Sequence, residues 1–265
     1  MKTAVVTGAG KGLGRRIAGG LADKGFAVLV TDVDEAAAKA TAAAIGPQAW
    51  SMQQDVRDPA SHRAVAKAAE ERGSLKLWVN NAGVLTVGPA WELDEDTVRQ
   101  HVDVNLLGVV WGSRAAVDCM RVNGGHIINI ASLSALAPVP GLAVYAATKS
   151  AVLGYSISLQ GDLAQGDLPI KVSAVCPDAI DTDLVRDVAH HRDASLLFSA
   201  SKLLTVEQVG DAVLDLVDNP KLVVTMPRRR AMLAHVLRPF PTTGLRLLEP
   251  FRRAGERRLE ALKKR

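Results

Sequence analysis

The chain has 265 residues, of which 48% are hydrophobic and 23% charged, a composition that fits one large soluble α/β domain or two small ones. Its net charge of +4 is uneven, because residues 226–265 carry 12 basic and 3 acidic side chains while the rest of the chain has a charge of −5. This distribution argues against a nucleic-acid-binding core, which would carry a basic patch.

Membrane-spanning and secreted classes are also disfavoured. No apolar run approaches the roughly 20 residues of a membrane-spanning helix. A strand begins so close to the N-terminus that we expect no signal or transit peptide. Cys119 and Cys176 form neither a zinc pattern nor a disulfide framework, so we expect a reducing, cytoplasmic setting.

Short β-branched runs alternate with longer helical patterns along the chain. The predicted strands are 3–6, 26–32, 48–55, 75–83, 126–132, 169–177 and 221–227. The predicted helices are about 12–24, 34–45, 59–73 and 94–121, then one holding Tyr145 and Lys149, and one from a capping box at Thr205 and Gln208 to about Asn219–Pro220. This alternation predicts an α/β fold with a doubly wound, Rossmann-like parallel sheet of about seven strands and helices on both faces. We expect a single domain over 1–226 and a basic C-terminal extension over 227–265.

The first strand leads into a glycine-rich turn, TGAGKGLG, at residues 7–14, and then into a helix. Glycines allow a tight turn and a close approach to a pyrophosphate, whose charge the helix N-terminus attracts. A glycine-rich turn alone is often only structural, but its place between a strand and a helix favours a dinucleotide site.

Asp32 ends the second predicted strand, near the distance from the glycine turn where an acidic residue meets an adenosine ribose. A carboxylate there accepts hydrogen bonds from both ribose hydroxyls of NAD and repels the 2′-phosphate of NADP. Helix capping is the structural alternative, since Asp32 and Asp34 both precede a helix. Lys11 in the glycine turn favours NADP instead. We weigh Asp32 more heavily and predict NAD, with NADP as the alternative.

Tyr145 and Lys149 lie four residues apart in VYAATKSA, so on a helix they share a face. A nearby ammonium stabilises phenolate, which lowers the pKa of a tyrosine from about 10 and makes it usable for proton transfer near neutral pH. The pair alone is a weak signal, because many amphipathic helices contain it by chance.

These motifs occur together with others in a set typical of one family. Over about residues 3–226 the chain resembles the short-chain dehydrogenase/reductase family, with matches in TGAGKGLG, Asp55–Val56, NNAG at 80–83, Asn105 in VDVNLLG, Ser132 in IASLSA, and YAATK. Each match is weak by itself, but six in the right order are highly specific.

The resemblance implies a role for each matching residue. Tyr145 would be the general acid/base for the alcohol proton, and Lys149 would lower its pKa and bind the nicotinamide ribose. Ser132 would hydrogen-bond the substrate oxygen, and Asn105 would hold a water of a proton relay. The further implied cofactor-binding residues are Gly8, Lys11, Gly12, Leu13, Gly14, Asp32, Asp55, Val56, Asn81, Ala82, Gly83, Pro177, Ile180 and Thr182. This chemistry needs no metal, and we predict none.

One position departs from the family pattern. After the sixth strand the family usually has PGxxxT, whereas this chain has PDAIDT, with Asp178 in place of glycine. Asp tolerates left-handed backbone better than most residues, so we expect the turn to survive. The carboxylate is then a candidate either for the wall of the substrate cleft or for a position near the cationic nicotinamide ring.

The substrate loop implied by the resemblance is about 183–204. It contains His190 and His191, which as neighbours on a helix would point about 100° apart and therefore make a poor joint metal site. We expect them to be solvated loop residues, with pocket lining as the minor alternative.

The extension beyond Pro227 contains Met232, Leu233, Val236 and Leu237, which would form one apolar helical face among basic neighbours. Such a segment could pack on a second subunit, cover the substrate cleft, lie on an anionic membrane or stay solvated. We favour protein contact over a peripheral membrane role, because Pro239, Pro241 and Pro250 interrupt any long amphipathic helix.

The sequence therefore predicts an oxidoreductase that transfers a hydride between NAD and a secondary alcohol or ketone, a fairly apolar small molecule. The alternatives are an NADPH-dependent carbonyl reductase and a non-catalytic dinucleotide sensor or scaffold. The set of Asn105, Ser132, Tyr145 and Lys149 favours an enzyme, because a sensor does not need Ser132. The resemblance also implies a homodimer or homotetramer built through the helices that hold Asn105 and Tyr145.

Overall fold

A computed structural model describes residues 1–263 of the chain, which form one parallel, seven-stranded sheet. The strands are β1 Lys2–Val6, β2 Ala27–Asp32, β3 Ala49–Gln53, β4 Ser74–Asn80, β5 Gly125–Ile130, β6 Ile170–Pro177 and β7 Val223–Met226. The helices are α1 Gly12–Asp23, α2 Glu35–Ile45, α3 Pro59–Glu70, α4 Glu95–Val102, α5 Gly108–Met120, α6 Ala143–Gln165, α7 Asp183–Arg186, α8 Val206–Asp218, α9 Arg228–Leu237, α10 Pro241–Leu247 and α11 Glu249–Lys263. The predicted doubly wound sheet is confirmed.

Helices cover both faces of the sheet because successive strand residues point to opposite sides. Val28 and Val30 of β2 pack with α1, α2 and α8, whereas Leu29 packs with α3 and α5 on the other face. The central strands β1 and β2 are therefore buried along nearly their whole length, as expected for a sheet covered on both faces.

The strand order is β3-β2-β1-β4-β5-β6-β7, so the chain reverses its direction across the sheet between β1 and β4. A crevice opens at the carboxyl edge of a parallel sheet at such a reversal, and ligands of open α/β sheets bind there. The loops that follow β1, β4, β5 and β6 all meet at this edge.

The predicted helix over 94–121 is interrupted in the structure. Between α4 and α5, Asp103–Leu107 form a π-helical turn in which the amide of Gly108 donates to the carbonyl of Asp103. Helical periodicity did not reveal this turn, because the residues on both sides keep a helical pattern. Single π-helical turns inside α-helices often occur at functional sites. This turn contains Asn105.

The C-terminal extension is folded onto the domain. Ala231 and Ala234 of α9 are buried against Ala174 and Cys176 of β6. Leu259 of α11 is buried with the residues above the carboxyl edge of the sheet. Residues 264 and 265 of the predicted extension, and the side chains of Leu237, Leu262 and Lys263, lie outside what the structure describes. The division into a domain over 1–226 and an extension stays a prediction.

Within residues 1–263, no helix is both long and apolar enough to cross a membrane. The cytoplasmic location stays a prediction.

Candidate active site

A single cavity of about 600 Å³ lies at the carboxyl edge of the sheet, where the strand order reverses. Its lining includes every predicted cofactor-binding residue, together with Ser132, Tyr145 and Lys149. Asn105 does not line it. The fold thus brings the glycine turn and three of the four predicted catalytic residues to one space, although they come from distant parts of the chain.

The glycine turn is packed too closely for side chains. Gly8 and Gly12 have φ values of +60° and +55°, which side chains disfavour. A Cβ on Gly14 would lie 2.4 Å from the carbonyl oxygen of Gly8 and 2.5 Å from Nδ2 of Asn81. Asn81 itself donates to the carbonyls of Thr7 and Gly8, both at 2.9 Å. The turn therefore presents bare backbone, as a pyrophosphate site requires.

Asp32 and Asp34 have separate roles. Asp34 caps α2 by accepting from the amide of Ala37 at 3.0 Å. Asp32 accepts instead from the amide of Gly10 at 2.9 Å and from the amide of Asp34 at 3.1 Å. The carboxylate of Asp32 is thus held at the cavity wall by the glycine turn. Asp34, and not Asp32, is the residue that caps α2.

Two basic side chains line the nucleotide end of the cavity. Lys11 points towards α7, where its Nζ lies 3.9 Å from Asp183, and both side chains are largely exposed. Arg57 makes a bidentate pair with Asp55, with Nη2 at 2.6 Å from Oδ2. This pair holds the pKa of Asp55 below its ordinary value. Our sequence reasoning missed Arg57, although its place two residues after Asp55 was a usable signal.

Tyr145 and Lys149 share one face near the start of α6, and Nζ of Lys149 lies 5.7 Å from the centre of the Tyr145 ring. Lys149 is buried and donates to the carbonyl of Ile130 at 2.8 Å, at the end of β5. Ser132 lies just beyond the same strand, and its Oγ accepts from the amide of Ser134 at 3.1 Å. Accepting this bond uses one lone pair of the oxygen and leaves the Ser132 hydroxyl able to donate its proton on the cavity side.

The pKa of Tyr145 differs from the sequence-based expectation. Burial raises it to about 12, and a hydrogen bond with Ser132 opposes this rise. Burial also lowers the pKa of Lys149 to about 8. The net pKa of Tyr145 is therefore raised and not lowered as expected, because removing the phenol from water favours its neutral form.

Asn105 lies behind the cavity wall, fully buried. Its Oδ1 accepts from the amide of Val84 at 2.8 Å, and its Nδ2 donates to the carbonyl of the same residue at 2.9 Å. Its Oδ1 is also 3.2 Å from where a Cβ on Gly83 would lie. The π-helical turn thus holds the loop after β4 through the two hydrogen bonds between Asn105 and Val84.

Asp178 pairs with a residue of the C-terminal extension. Its Oδ2 lies 3.0 Å from Nε of Arg230, while Nη2 of Arg230 donates to Oγ of Ser199 at 2.9 Å. Burial raises the pKa of Asp178, and the charge of Arg230 opposes this rise. Among the described residues, Asp167 is the one non-glycine residue with positive φ. The turn therefore accommodates Asp178 without left-handed backbone.

Apolar side chains enclose the end of the cavity beyond Ser132 and Tyr145. They come from the loop after β4, the segment before α6, the predicted substrate loop and the extension, and include Leu85, Val139, Leu196, Leu197, Leu248 and Phe251. The extension was not among the predicted site residues, since its contacts with the cavity depend on how α9 to α11 fold back. In residues 1–263, no three or more His, Cys, Asp or Glu side chains are grouped as metal ligands.

Comparisons with known proteins agree with this geometry. A family model described as short chain dehydrogenase matches residues 2–193. The probable oxidoreductase EphD of Mycobacterium tuberculosis is 35% identical over 192 residues, which are 70% of this chain and 32% of that protein. The chain thus spans about a third of that relative's length. Galactitol 2-dehydrogenase of Agrobacterium fabrum is 35% identical over 68% of this chain and 71% of its own.

A solved structure is similar as well. It is a crystal structure of a short chain dehydrogenase/reductase from Burkholderia phymatum in complex with NAD, with a TM-score of 0.81 and 28% identity. The match covers 88% of this chain and 91% of that one.

Proposed function

Because the chain belongs to the short chain dehydrogenase family, we propose that it transfers a hydride between NAD and a secondary alcohol or ketone of apolar character. The observation that carries this proposal is the position of Ser132, Tyr145 and Lys149 between the glycine turn and the apolar end of one cavity. A dinucleotide sensor would need the glycine turn but not Ser132.

We assign the chemistry to these three side chains. Ser132 donates a hydrogen bond to the substrate oxygen, which becomes more negative as its proton is removed in oxidation or as the hydride reaches the carbonyl carbon in reduction. Tyr145 takes the hydroxyl proton in oxidation and returns it to the carbonyl oxygen in reduction. Lys149 holds a positive charge beside Tyr145 and favours its phenolate. The nicotinamide supplies the hydride acceptor or donor when it is bound.

The proposed proton transfer predicts opposite pH profiles for the two directions. With the pKa of Tyr145 raised to about 12, the phenol form predominates at neutral pH, and this is the form that reduces a ketone. The phenolate needed for alcohol oxidation becomes more abundant as the pH rises. We therefore expect the oxidation rate to increase with pH and the reduction rate to decrease at alkaline pH.

We propose NAD over NADP because Asp32 is fixed at the cavity wall while Lys11 points to Asp183. The residues present fit the dinucleotide, since the glycine turn leaves room only for backbone and the Asp32 carboxylate faces the cavity. The proposed role of Asn105 in holding a relay water stays a prediction.

The test is a panel of secondary alcohols and ketones of increasing apolar size, assayed with NAD(H) and NADP(H) by absorbance of the reduced cofactor. We expect turnover with apolar substrates and a preference for NAD. Faster turnover with NADPH would favour a carbonyl reductase. Tight dinucleotide binding without turnover on any substrate would favour a sensor.

We also propose that the chain assembles as a homodimer or homotetramer through α5 and α6. The exposed residues of α6 over 143–161 are small or uncharged, namely Ala143, Ala147, Ser150, Gly154, Ile157, Ser158 and Gly161. A solvent-facing helix normally carries charges on its exposed face. Analytical ultracentrifugation measures the assembly, and a monomer at micromolar concentration would contradict this proposal.

A further inference from the structure

Helix α9 buries small side chains and exposes large apolar ones, which is the reverse of the usual arrangement. It buries the small residues Ala231 and Ala234, while Met232 and Val236 are 67% and 60% exposed. Burying a large apolar side chain is worth about 1.5–3 kcal/mol. A helix that served only its own domain would therefore turn the larger residues inward.

The exposed apolar side chains continue beyond α9. Phe240, in the link to α10, is 61% exposed, and Leu245 of α10 is exposed as well. Of the thirteen large apolar residues that are exposed among the side chains described, six lie between Met232 and Leu247. This concentration distinguishes them from the scattered apolar residues of an ordinary surface. We call the exposed side chains of residues 228–247 the α9–α10 surface.

The same segment is basic. Residues 227–248 contain five arginines and no acidic residue. Arg230 is paired with Asp178 inside the protein, whereas Arg228, Arg229, Arg238 and Arg246 are exposed. Arg228, Met232 and Val236 are spaced four residues apart, so charge and apolar side chains occupy one face of α9.

This surface adjoins the cavity. Leu233 of α9 and Leu247 of α10 are both partly exposed to solvent and line the cavity wall. Whatever covers the α9–α10 surface therefore lies next to the apolar end of the cavity.

We propose that the α9–α10 surface docks on an anionic lipid membrane. A bilayer interface accepts apolar side chains and, at the same level, places anionic headgroups beside arginines. A symmetric contact with a second copy would instead bring the arginines of both copies together, which is unfavourable. Pro239 and Pro241 do separate α9 from α10, but two short helices can lie on one interface, so the prolines no longer argue against membrane contact.

The test is flotation of the full-length protein with vesicles of phosphatidylcholine alone or of phosphatidylcholine mixed with phosphatidylglycerol. We expect flotation with the mixed vesicles, and weaker flotation at high salt because exposed charges are screened. The partition coefficient of an Arg228→Gln/Arg229→Gln variant onto the mixed vesicles should be roughly 30-fold lower. This follows because each arginine near an anionic surface contributes about 1 kcal/mol of binding free energy. A Met232→Ser/Val236→Ser/Phe240→Ser variant should lose at least about tenfold.

The matched control is Trp91→Ser/Val122→Ser, which removes two side chains that are 84% and 87% exposed elsewhere on the surface. It should float like the unmodified protein. None of the substituted residues lines the cavity, so thermal unfolding and turnover should be unchanged and would show that each variant is folded. Absence of flotation with anionic vesicles would overturn the proposal. So would flotation that the α9–α10 variants do not reduce, or a loss of oligomer in these variants without any lipid binding.

Discussion

The carboxylate of Asp178 lies 3.0 Å from Nε of Arg230, and this ion pair joins the turn after β6 to the first helix of the C-terminal extension. Both residues line the cavity, and Asp178 occupies the position where the family pattern has glycine. The chain thus replaces a bare turn by a charged contact that holds part of the cavity wall.

Breaking this pair should destabilise the protein through the charge left behind. We expect Asp178→Asn and Arg230→Gln each to lower the free energy of unfolding by about 1–3 kcal/mol. The double variant should lose less than the sum, with a coupling of about 0.5 kcal/mol or more. Urea denaturation measures all three.

The exposed pair Asp118–Arg121, at 3.7 Å, is the control for this cycle. The same substitutions there should give a coupling of no more than about 0.5 kcal/mol, since water screens exposed pairs. Equal couplings at the two sites would show that the Asp178 pair is an ordinary surface contact.

Tyr145→Phe should abolish proton transfer while leaving the dinucleotide site intact. We expect the turnover number to fall about 10²–10⁴-fold, with little change in the affinity for NADH measured by fluorescence. Tyr155→Phe is the control, because Tyr155 is the other tyrosine of α6 and packs in the core away from the cavity. Near-normal turnover in Tyr145→Phe would refute the catalytic assignment.

Asp32→Asn should shift the cofactor preference towards NADP. The side-chain oxygen of the new Asn still accepts from the backbone amide of Gly10. The negative charge that opposes a 2′-phosphate is gone. We expect the ratio of kcat/KM for NADP to that for NAD to rise at least about tenfold. Asp34→Asn should leave the ratio unchanged, since Asn caps a helix as well as Asp does. A preference for NADP in the unmodified protein would contradict our assignment.

Gly14→Ala should damage the nucleotide site, because its Cβ would meet backbone of Gly8 at 2.4 Å. We expect a large loss of NADH affinity and a lower melting temperature. In the same helix, a Cβ on Gly19 would have nothing within 4 Å. Gly19→Ala should therefore stabilise the protein by about 0.5–1 kcal/mol without affecting binding. Equal effects of the two substitutions would show that α1 does not constrain the turn.

His126 should make the protein sensitive to acid. Its Nε2 donates to Oγ of Ser173 at 2.8 Å, because the Ser173 hydroxyl donates to the carbonyl of Lys221. Its buried Nδ1 has no hydrogen-bond partner, and burial lowers its pKa to about 4. The imidazole of His126 has a higher pKa in the unfolded chain than in the folded one. As the pH falls, the unfolded chain therefore binds this proton at a higher pH. Stability is thus fully present above pH 6.5 and lost as the pH falls through 4, by up to about 3 kcal/mol.

His126→Gln keeps a donor to Ser173 and cannot take up a proton. The free energy of unfolding of this variant should therefore fall less than that of the unmodified protein between pH 6.5 and pH 4, as followed by urea denaturation. The exposed His190 provides the control substitution, His190→Gln. Parallel stability curves for His126→Gln and the unmodified protein would rule out the proposed acid sensitivity.

Local patterns were enough to predict the sheet and much of the cavity. Alternation of apolar strands and amphipathic helices fixes which residues face inward, and the glycine turn and the Tyr145–Lys149 spacing depend on residues close in sequence. The capping box of Thr205 and Gln208 is confirmed for the same reason. These features act over one or two turns of chain, so the order of residues alone specifies them.

Contacts between distant segments could not be predicted from local sequence patterns. The partner of Asp178, the burial that raises the pKa of Tyr145 and the fastening of Val84 by Asn105 all depend on which surfaces meet after folding. The same holds for α9, where folding buries Ala231 and Ala234 and leaves Met232 and Val236 exposed. The sequence by itself determined the fold class and the motifs that hold the proposed reacting groups, because propensity, periodicity and short motifs are local. Only the tertiary structure decided the charge environment and the cavity wall, because desolvation and long-range packing exist only in the folded chain.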